Sequence, residues 1–234
     1  MSRIAQLDHL VIMADSLAAG VQWCEEVLGV TPEAGGEHPL MGTHNRLLHI
    51  SSPAFPRAYL EIIALQPGKQ PSRSAPLKRW FDMDDAALRE QIAARGPQLI
   101  HWVAAVPDLA ASHAAWAQLG IDRGAILKAS RPTPNGLLEW QITVRADGQR
   151  LLDGCLPTLI EWGTQHPCDS LPASGVQLAS LQLDHPQAAL LTSALQAAQL
   201  GGASITSTSS TSPALRATFD TPRGPVTLNA RTAA

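Results

Sequence analysis

Residues 7–13 read Leu-Asp-His-Leu-Val-Ile-Met, and residues 99–106 read Leu-Ile-His-Trp-Val-Ala-Ala-Val. Each is a short run of β-forming apolar residues with one histidine inside it. The first is followed by Asp15-Ser16 and then by Leu17, Val21, Trp23, Cys24, Val27 and Leu28, with Gly29 closing the pattern. The second is followed by Asp108 to Leu119 and then Gly120. Apolar residues three and four apart between a capping side chain and a glycine read as strand, N-cap, helix, C-cap, twice over. His9-Leu10-Val11 through Leu17 lies over His101-Trp102-Val103 through Leu109 at an offset of 92 residues.

Working outward, further strands are expected over Val30–Glu37, Asn45–Ile50 and Tyr59–Leu65 in the first copy. In the second they are expected over Ile126–Ala129, Leu137–Val144 and Leu159–Trp162. The closing strands align Glu61 with Glu161 at an offset of 100, a difference that a longer loop absorbs at little cost. Between the copies, Gln66–Pro76 reads as a surface connection and Asp84–Arg95, stopped by Gly96-Pro97, as a helix. Residues 169–234 show the order a third time: a strand over Val176–Leu183, a helix over Gln187–Gln199, and strands near Ile205, Ala214–Phe219 and Val226–Asn229. The tract Ser204–Ser212 within it reads as a solvated edge strand.

The expected fold is therefore α+β, built of repeated βαβββ modules. Two of them, about 5–66 and 97–168 with connector 67–96, pair into a half-open barrel-like cup over residues 1–168. A third, degenerate module over 169–234 either caps that pair or meets its counterpart in a homodimer.

Composition bounds the function. The 234 residues are 45% hydrophobic and 16% charged with a net charge of −3, and the basic residues are scattered. Nucleic acid and anionic membranes are thus not expected as partners, since phosphate binding needs concentrated Lys and Arg. Three cysteines without Cys-x-x-Cys spacing suggest neither a disulfide framework nor a zinc knuckle, and no apolar run is long enough to span a bilayer. A cytoplasmic protein is expected, acting on a small molecule. The sequence has no Gly-x-Ser-x-Gly, His-Glu-x-x-His, P-loop or Gly-x-Gly-x-x-Gly, so the hydrolase, metalloprotease and nucleotide readings have no support.

His9 and His101, Glu61 and Glu161 each sit in an apolar strand, where an isolated charge costs several kcal/mol unless paired or coordinated. Brought together about a pseudo-twofold, two imidazoles and two carboxylates suit a divalent ion such as Zn, Ni, Co, Mn or Fe, with positions left for substrate oxygens. One or both of Glu61 and Glu161 then also move a proton. The bland alternative is a pair of buried His–Glu bridges holding the modules together. Around the cup, His44 and Asn45 are placed at the mouth, His49 on the next strand, Trp140 on a strand wall, and Arg131, beside the turn Pro134-Asn135-Gly136, as a clamp for a carboxylate or phosphate. His38, His113 and His185 receive no role, and His166-Pro167 is placed at most at the pocket rim.

The Leu-Asp-His-Leu-Val strand, its helix ending in Leu-Gly and the repeat of the whole resemble the vicinal oxygen chelate superfamily. That superfamily includes glyoxalase I, extradiol dioxygenases, epimerases and antibiotic-resistance proteins. The segments 42–48, Tyr59-Leu60-Glu61, Arg79-Trp80-Phe81 and Ile160-Glu161-Trp162 resemble its glyoxalase-like domain group. The resemblance covers about residues 5–168, and it implies metal ligands at His9, Glu61, His101 and Glu161. Three functions follow as expectations: a metal-dependent isomerase or lyase on a small oxygen-chelating substrate, an extradiol-type dioxygenase using His9, His101 and Glu161, or a metal-free binding protein of the resistance type.

Overall fold

The structure, a computed structural model, describes residues 4–73, 75–133 and 136–230. The expected turn residues Pro134 and Asn135 lie outside the described residues. The first unit comprises β1 (Gln6–Met13), α1 (Leu17–Val27), β2 (Glu33–His38), β3 (Thr43–His49) and β4 (Tyr59–Leu65). The second, after α2 (Ala86–Arg95), comprises β5 (Gln98–Ala105), α3 (Leu109–Gln118), β6 (Ala125–Thr133), β7 (Gly136–Val144) and β8 (Thr158–Trp162). Their eight strands form one curled sheet in the order β2-β3-β4-β1-β5-β8-β7-β6. Within each unit the last strand returns parallel to the first, and the two first strands meet antiparallel at the centre, Leu10 opposite Trp102. The fold is thus the expected α+β pair of βαβββ modules.

The helices start where the sequence supplies an oxygen for their first free N–H groups. Ser16 accepts from the amide of Ala19, Asp85 from that of Leu88 and Asp108 from that of Ala111. Alternation along the central strands sorts two cores. Leu10, Ile12, Leu60, Ile62, Trp102 and Ala104 face the convex side with α1 and α3, whereas Val11, Met13, Ile63, Val103, Ile142 and Ile160 face the concave side.

The connector between the units does more than join them. Beyond its mostly exposed first half, Trp80, Phe81 and Met83 fold into the concave core, with the rings of Trp80 and Phe81 stacked 5.2 Å apart. Phe81 and Asp82 both take left-handed backbone angles, φ 58°, which cost side-chain-bearing residues of order 1–3 kcal/mol each. Arg150 donates to Asp82 at 2.9 Å and helps hold that bend.

The third unit comprises β9 (Gln177–His185), α4 (Ala188–Ala197), β10 (Ile205–Ser209), β11 (Ala214–Thr221) and β12 (Gly224–Ala230). Its element order repeats, but its pairing does not: the sheet runs β10-β9-β11-β12, so the first strand pairs with the second and third and never with the last. The Ser/Thr tract forms β10, at the sheet edge. Leu178, Leu181, Leu191, Leu215 and Phe219 join Leu7, Leu10, Trp102 and Trp116 in one core, so this unit covers the convex face of the large sheet. Trp116 donates its indole N–H to the carbonyl of Ala194 at 2.7 Å, tying α3 to α4. Among the described residues no helix is long and apolar enough to cross a membrane.

Candidate active site

The parallel register of β1 and β4 sets Tyr59 opposite His9 and Glu61 opposite Val11, so all three side chains rise from the concave face. A shift in register between Leu7 and His9 turns Asp8 inward as well, and it is fully buried. A bare carboxylate there would be prohibitive, and Asp8 is surrounded by donors. His9 Nδ1 lies 2.6 Å from Oδ1, while Trp162 Nε1 at 2.8 Å and His166 Nε2 at 3.0 Å bond Oδ2. Burial pushes the Asp8 carboxyl up, but the electrostatic attraction and hydrogen bond of His166 and the hydrogen bond from His9 outweigh it and hold the group well below the usual carboxylate range.

Those bonds assign the ring protons. His166 Nδ1 accepts the amide of Cys168 at 3.1 Å, so His166 donates to Asp8 through Nε2. An ionised Asp8 only accepts, so His9 donates through Nδ1, and in the neutral ring Nε2 is the atom that carries the lone pair. Facing it at 3.6 Å is Oε2 of Glu61. The other Glu61 oxygen accepts the Asn45 amide at 2.6 Å, and Asn45 Oδ1 accepts the backbone N–H of Gly36 at 2.7 Å, which fixes the amide's orientation. A side chain at Gly35 would fall 2.0 Å from Asn45 Oδ1, and one at Gly36 would fall 1.8 Å from the Arg131 guanidinium. The paired glycines of β2 are what let Asn45 and Arg131 close over the site.

His9, His38, Asn45, Tyr59, Glu61, Trp80, Phe81, Arg131, Trp140 and Trp162 line an inner cavity of ≈30 Å³. It adjoins an outer groove of ≈710 Å³ between β2, β6 and the segment after β8, and Leu47, Arg131, Leu138 and Pro167 belong to both walls. The Tyr59 ring stacks on His9 at 4.6 Å, and its hydroxyl is pushed up by burial and by Asp8 and Glu61. His38, edge-on to Trp80, is held neutral: burial first, then Arg131, lowers it to about 3. The unfolded chain protonates this side chain below about pH 6.5 and the folded chain does not until about pH 3, so stability decreases as the pH is lowered between those values, at up to ~1.4 kcal/mol per unit. His101, also held below its ordinary value by burial and Arg123, adds in the same direction. Urea unfolding between about pH 4.5 and 6.5 is therefore expected to show a shallower pH slope for His38→Gln than for the wild type.

The second unit does not supply the matching half. Val103 of β5 pairs with Thr158 of β8 as Val11 pairs with Glu61, so the residue in the place of Glu61 is Thr158, three positions before Glu161. An odd step along a strand reverses the face. Glu161 accordingly lies on the other side of the sheet, where Oε2 accepts the amide of Leu109 at 2.8 Å and helps to cap α3. His101 is sealed beneath Phe81, donating from Nδ1 to the carbonyl of Gly154 at 3.1 Å and bonded at Nε2 to the Thr158 hydroxyl at 3.0 Å. Arg123 donates to the same hydroxyl.

The expected quartet His9, Glu61, His101 and Glu161 is thus corrected to one His–Glu pair. A metal needs its donors within about 2.0–2.2 Å of one point, and the donor atoms of His101 and Glu161 are engaged elsewhere. Among the described residues no three His, Cys, Asp or Glu side chains converge to hold a metal ion. The four residues do not fit the divalent ion, and His9, His101 and Glu161 do not form a dioxygenase triad.

Of the other expected pocket residues, Asn45, Arg131 and Trp140 line the inner cavity. His44 shares the face of Leu48, which packs in the convex core, and His49 lies at the far end of β3 outside the cavity wall. Asp8, His38 and Tyr59 belong to the site without having been read as such, and His166, placed at most at the rim, bonds Asp8 within it. The one signal for Asp8 was a second charge inside the same apolar strand.

A model of the glyoxalase-like domain matches residues 7–199. In structure the chain is similar to a hypothetical protein from Staphylococcus aureus, at 12% identity and a TM-score of 0.56, over 97% of this chain and 85% of that one. It also aligns with a variant of Streptomyces coelicolor methylmalonyl-CoA epimerase in complex with 2-nitronate-propionyl-CoA, at 17% identity and a TM-score of 0.42, over 70% of this chain and 99% of that one. No curated protein matches the sequence. Since the matched span runs from β1 through both paired modules to the helix of the third unit, the chain belongs to the glyoxalase-like domain family, with the vicinal oxygen chelate fold.

Proposed function

We propose that the cup is the active site of an enzyme that moves a proton on a small oxygen-bearing substrate, an isomerase or lyase whose working pair is His9 and Glu61. One observation carries this reading: Nε2 of His9 and Oε2 of Glu61 face each other at 3.6 Å in the cavity wall, each with its opposite atom tied down, by Asp8 and by Asn45. A base needs an available lone pair, a fixed tautomer and reach to the proton. Asp8 supplies the tautomer as the third group of a base-orienting set.

In the proposed step His9 Nε2 takes a proton from a carbon beside a carbonyl. The C–H pair moves into the carbon–carbon bond and the carbonyl electrons onto oxygen. The proton is then returned by His9 to the same carbon or to its neighbour, or a protonated Glu61 delivers its own proton there and takes the one held by His9, which restores both groups. No step passes through a metal, because only two of the four expected ligands meet.

The test is deuterium uptake from D2O into a panel of dicarbonyls and 2-oxo acids, followed by proton NMR with a chelator present. The expected result is uptake into at least one compound by the wild type and loss of that uptake in Glu61→Gln. Uptake that survives Glu61→Gln, uptake that appears only with added divalent metal, or none across the panel would contradict the reading.

A further inference from the structure

The mechanism above leaves two buried donors in the cavity wall unused. Trp80 is 8% exposed and its indole N–H is buried with no partner among the described residues; one guanidinium nitrogen of Arg131, Nη1, is in the same position. Both side chains line the cavity that holds His9 and Glu61. A buried donor left unpaired costs about 1–3 kcal/mol, so each of these two in the cavity wall calls for an acceptor. They do not pair with the protein's own acids: one Glu61 oxygen is taken by Asn45 and the other faces His9, and Asp8 is taken by His9, Trp162 and His166.

We propose that Trp80 and Arg131 form a carboxylate-binding site, and that the substrate is a carboxylic acid whose acid group they hold while the rest of the molecule runs into the outer groove. This deepens the proton-transfer reading and rests on it. A planar guanidinium favours two-oxygen acceptors, and a single indole N–H adds one further donor. The inner space, ≈30 Å³, takes only the reacting end, whereas the groove of ≈710 Å³ takes a sizeable remainder.

The groove also says what that remainder is. Its body is apolar, with Leu47, Pro132, Leu138 and Leu171, and its ionisable residues include Glu37 and Asp169 against the one arginine, Arg131. Two carboxylates beside a single fixed cation repel a polyphosphate tail and accept an aliphatic one. Arg131, on both walls, sits where the acid group and the chain meet.

Calorimetric titration of the full chain with 2-oxobutyrate, 2-oxooctanoate and methyl 2-oxooctanoate tests this. The octanoate is expected to bind about 10- to 100-fold more tightly than its methyl ester, the range of one charge-assisted hydrogen bond, and more tightly than the butyrate. Arg131→Met and, independently, Trp80→Phe, which keeps the ring and removes the N–H, are expected to reduce that acid-over-ester preference. Ester and acid binding alike, a preference unchanged in both variants, or no saturable binding of any probe would overturn the proposal. Acid binding that depends on Arg131 without deuterium uptake at the 3-position would leave the carboxylate site standing and remove the proton-transfer reading instead.

Discussion

Replacing His9 with Gln is expected to lower the rate of substrate deuterium exchange by about 10²–10⁴-fold, the range general acid–base catalysis contributes, while the chain remains folded. Glutamine fills much of the imidazole's space and can still donate to Asp8, but it has no basic nitrogen to set against Glu61. Glu61→Gln is expected to fall in the same range. The double variant should lose little more than either single one, because two groups that act as a unit are not additive. Circular dichroism and the urea midpoint of each variant separate chemistry from folding. A rate within a few-fold of the wild type for either variant would remove that residue from the reaction.

The largest effect on stability is expected from Asp8→Ala. It leaves His9 Nδ1, His166 Nε2 and Trp162 Nε1 without their shared acceptor at 2.6, 3.0 and 2.8 Å. Removing one partner from a buried charged cluster typically costs about 3–5 kcal/mol, a large part of an ordinary domain's total stability. The loss also frees the His9 tautomer, so activity in the surviving folded fraction should fall. Acid acts through the same group. Asp8 is held below its unfolded value, so its contribution is complete above about pH 4 and is lost as the pH falls below that, through the unfolded value and toward the lower folded one. Asp8→Asn should therefore show less acid sensitivity below about pH 4 than the wild type, from a lower starting stability. Denaturant unfolding at neutral and acidic pH reads both effects, and an Asp8→Ala chain as stable as the wild type would refute the cluster.

The two paired modules were legible because their opening strands, caps and closing glycines recur in the same order at offsets of 91–92 residues, and local chemistry dictates each of them. Half of the site was legible: His9 and Glu61 are polar residues inside apolar strands, and Asn45 follows the turn at Gly42 that places it at the mouth. The other half failed on parity. Thr158-Leu159-Ile160-Glu161-Trp162 is apolar on both faces, so alternation does not say which residues look into the cup, and a glutamate at the plausible offset took the place that register gives to Thr158.

Asp8 was hidden by an irregularity in the β1–β5 pairing, which turns two successive side chains to the same cluster. Trp80 and Phe81 were hidden because they enter from the connector, through left-handed residues that carry no glycine to announce the bend. In the third unit, element order could be read but not partners. A helix between two strands permits both the long return to the first strand and the immediate parallel pairing that β9 and β10 adopt.

The proposed chemistry needs a lone pair on His9 Nε2, held toward Glu61 by Asp8 and the ring of His166 behind it. Long-range proton–nitrogen correlation NMR of the histidine rings, assigned with His9→Gln and His166→Gln, observes that tautomer without needing a substrate. The expected result is His9 protonated at Nδ1 and bare at Nε2, with His166 protonated at Nε2. A neutral His9 carrying its proton on Nε2 would contradict it, since the group proposed as the base would then present a donor, and no lone pair, to the cavity.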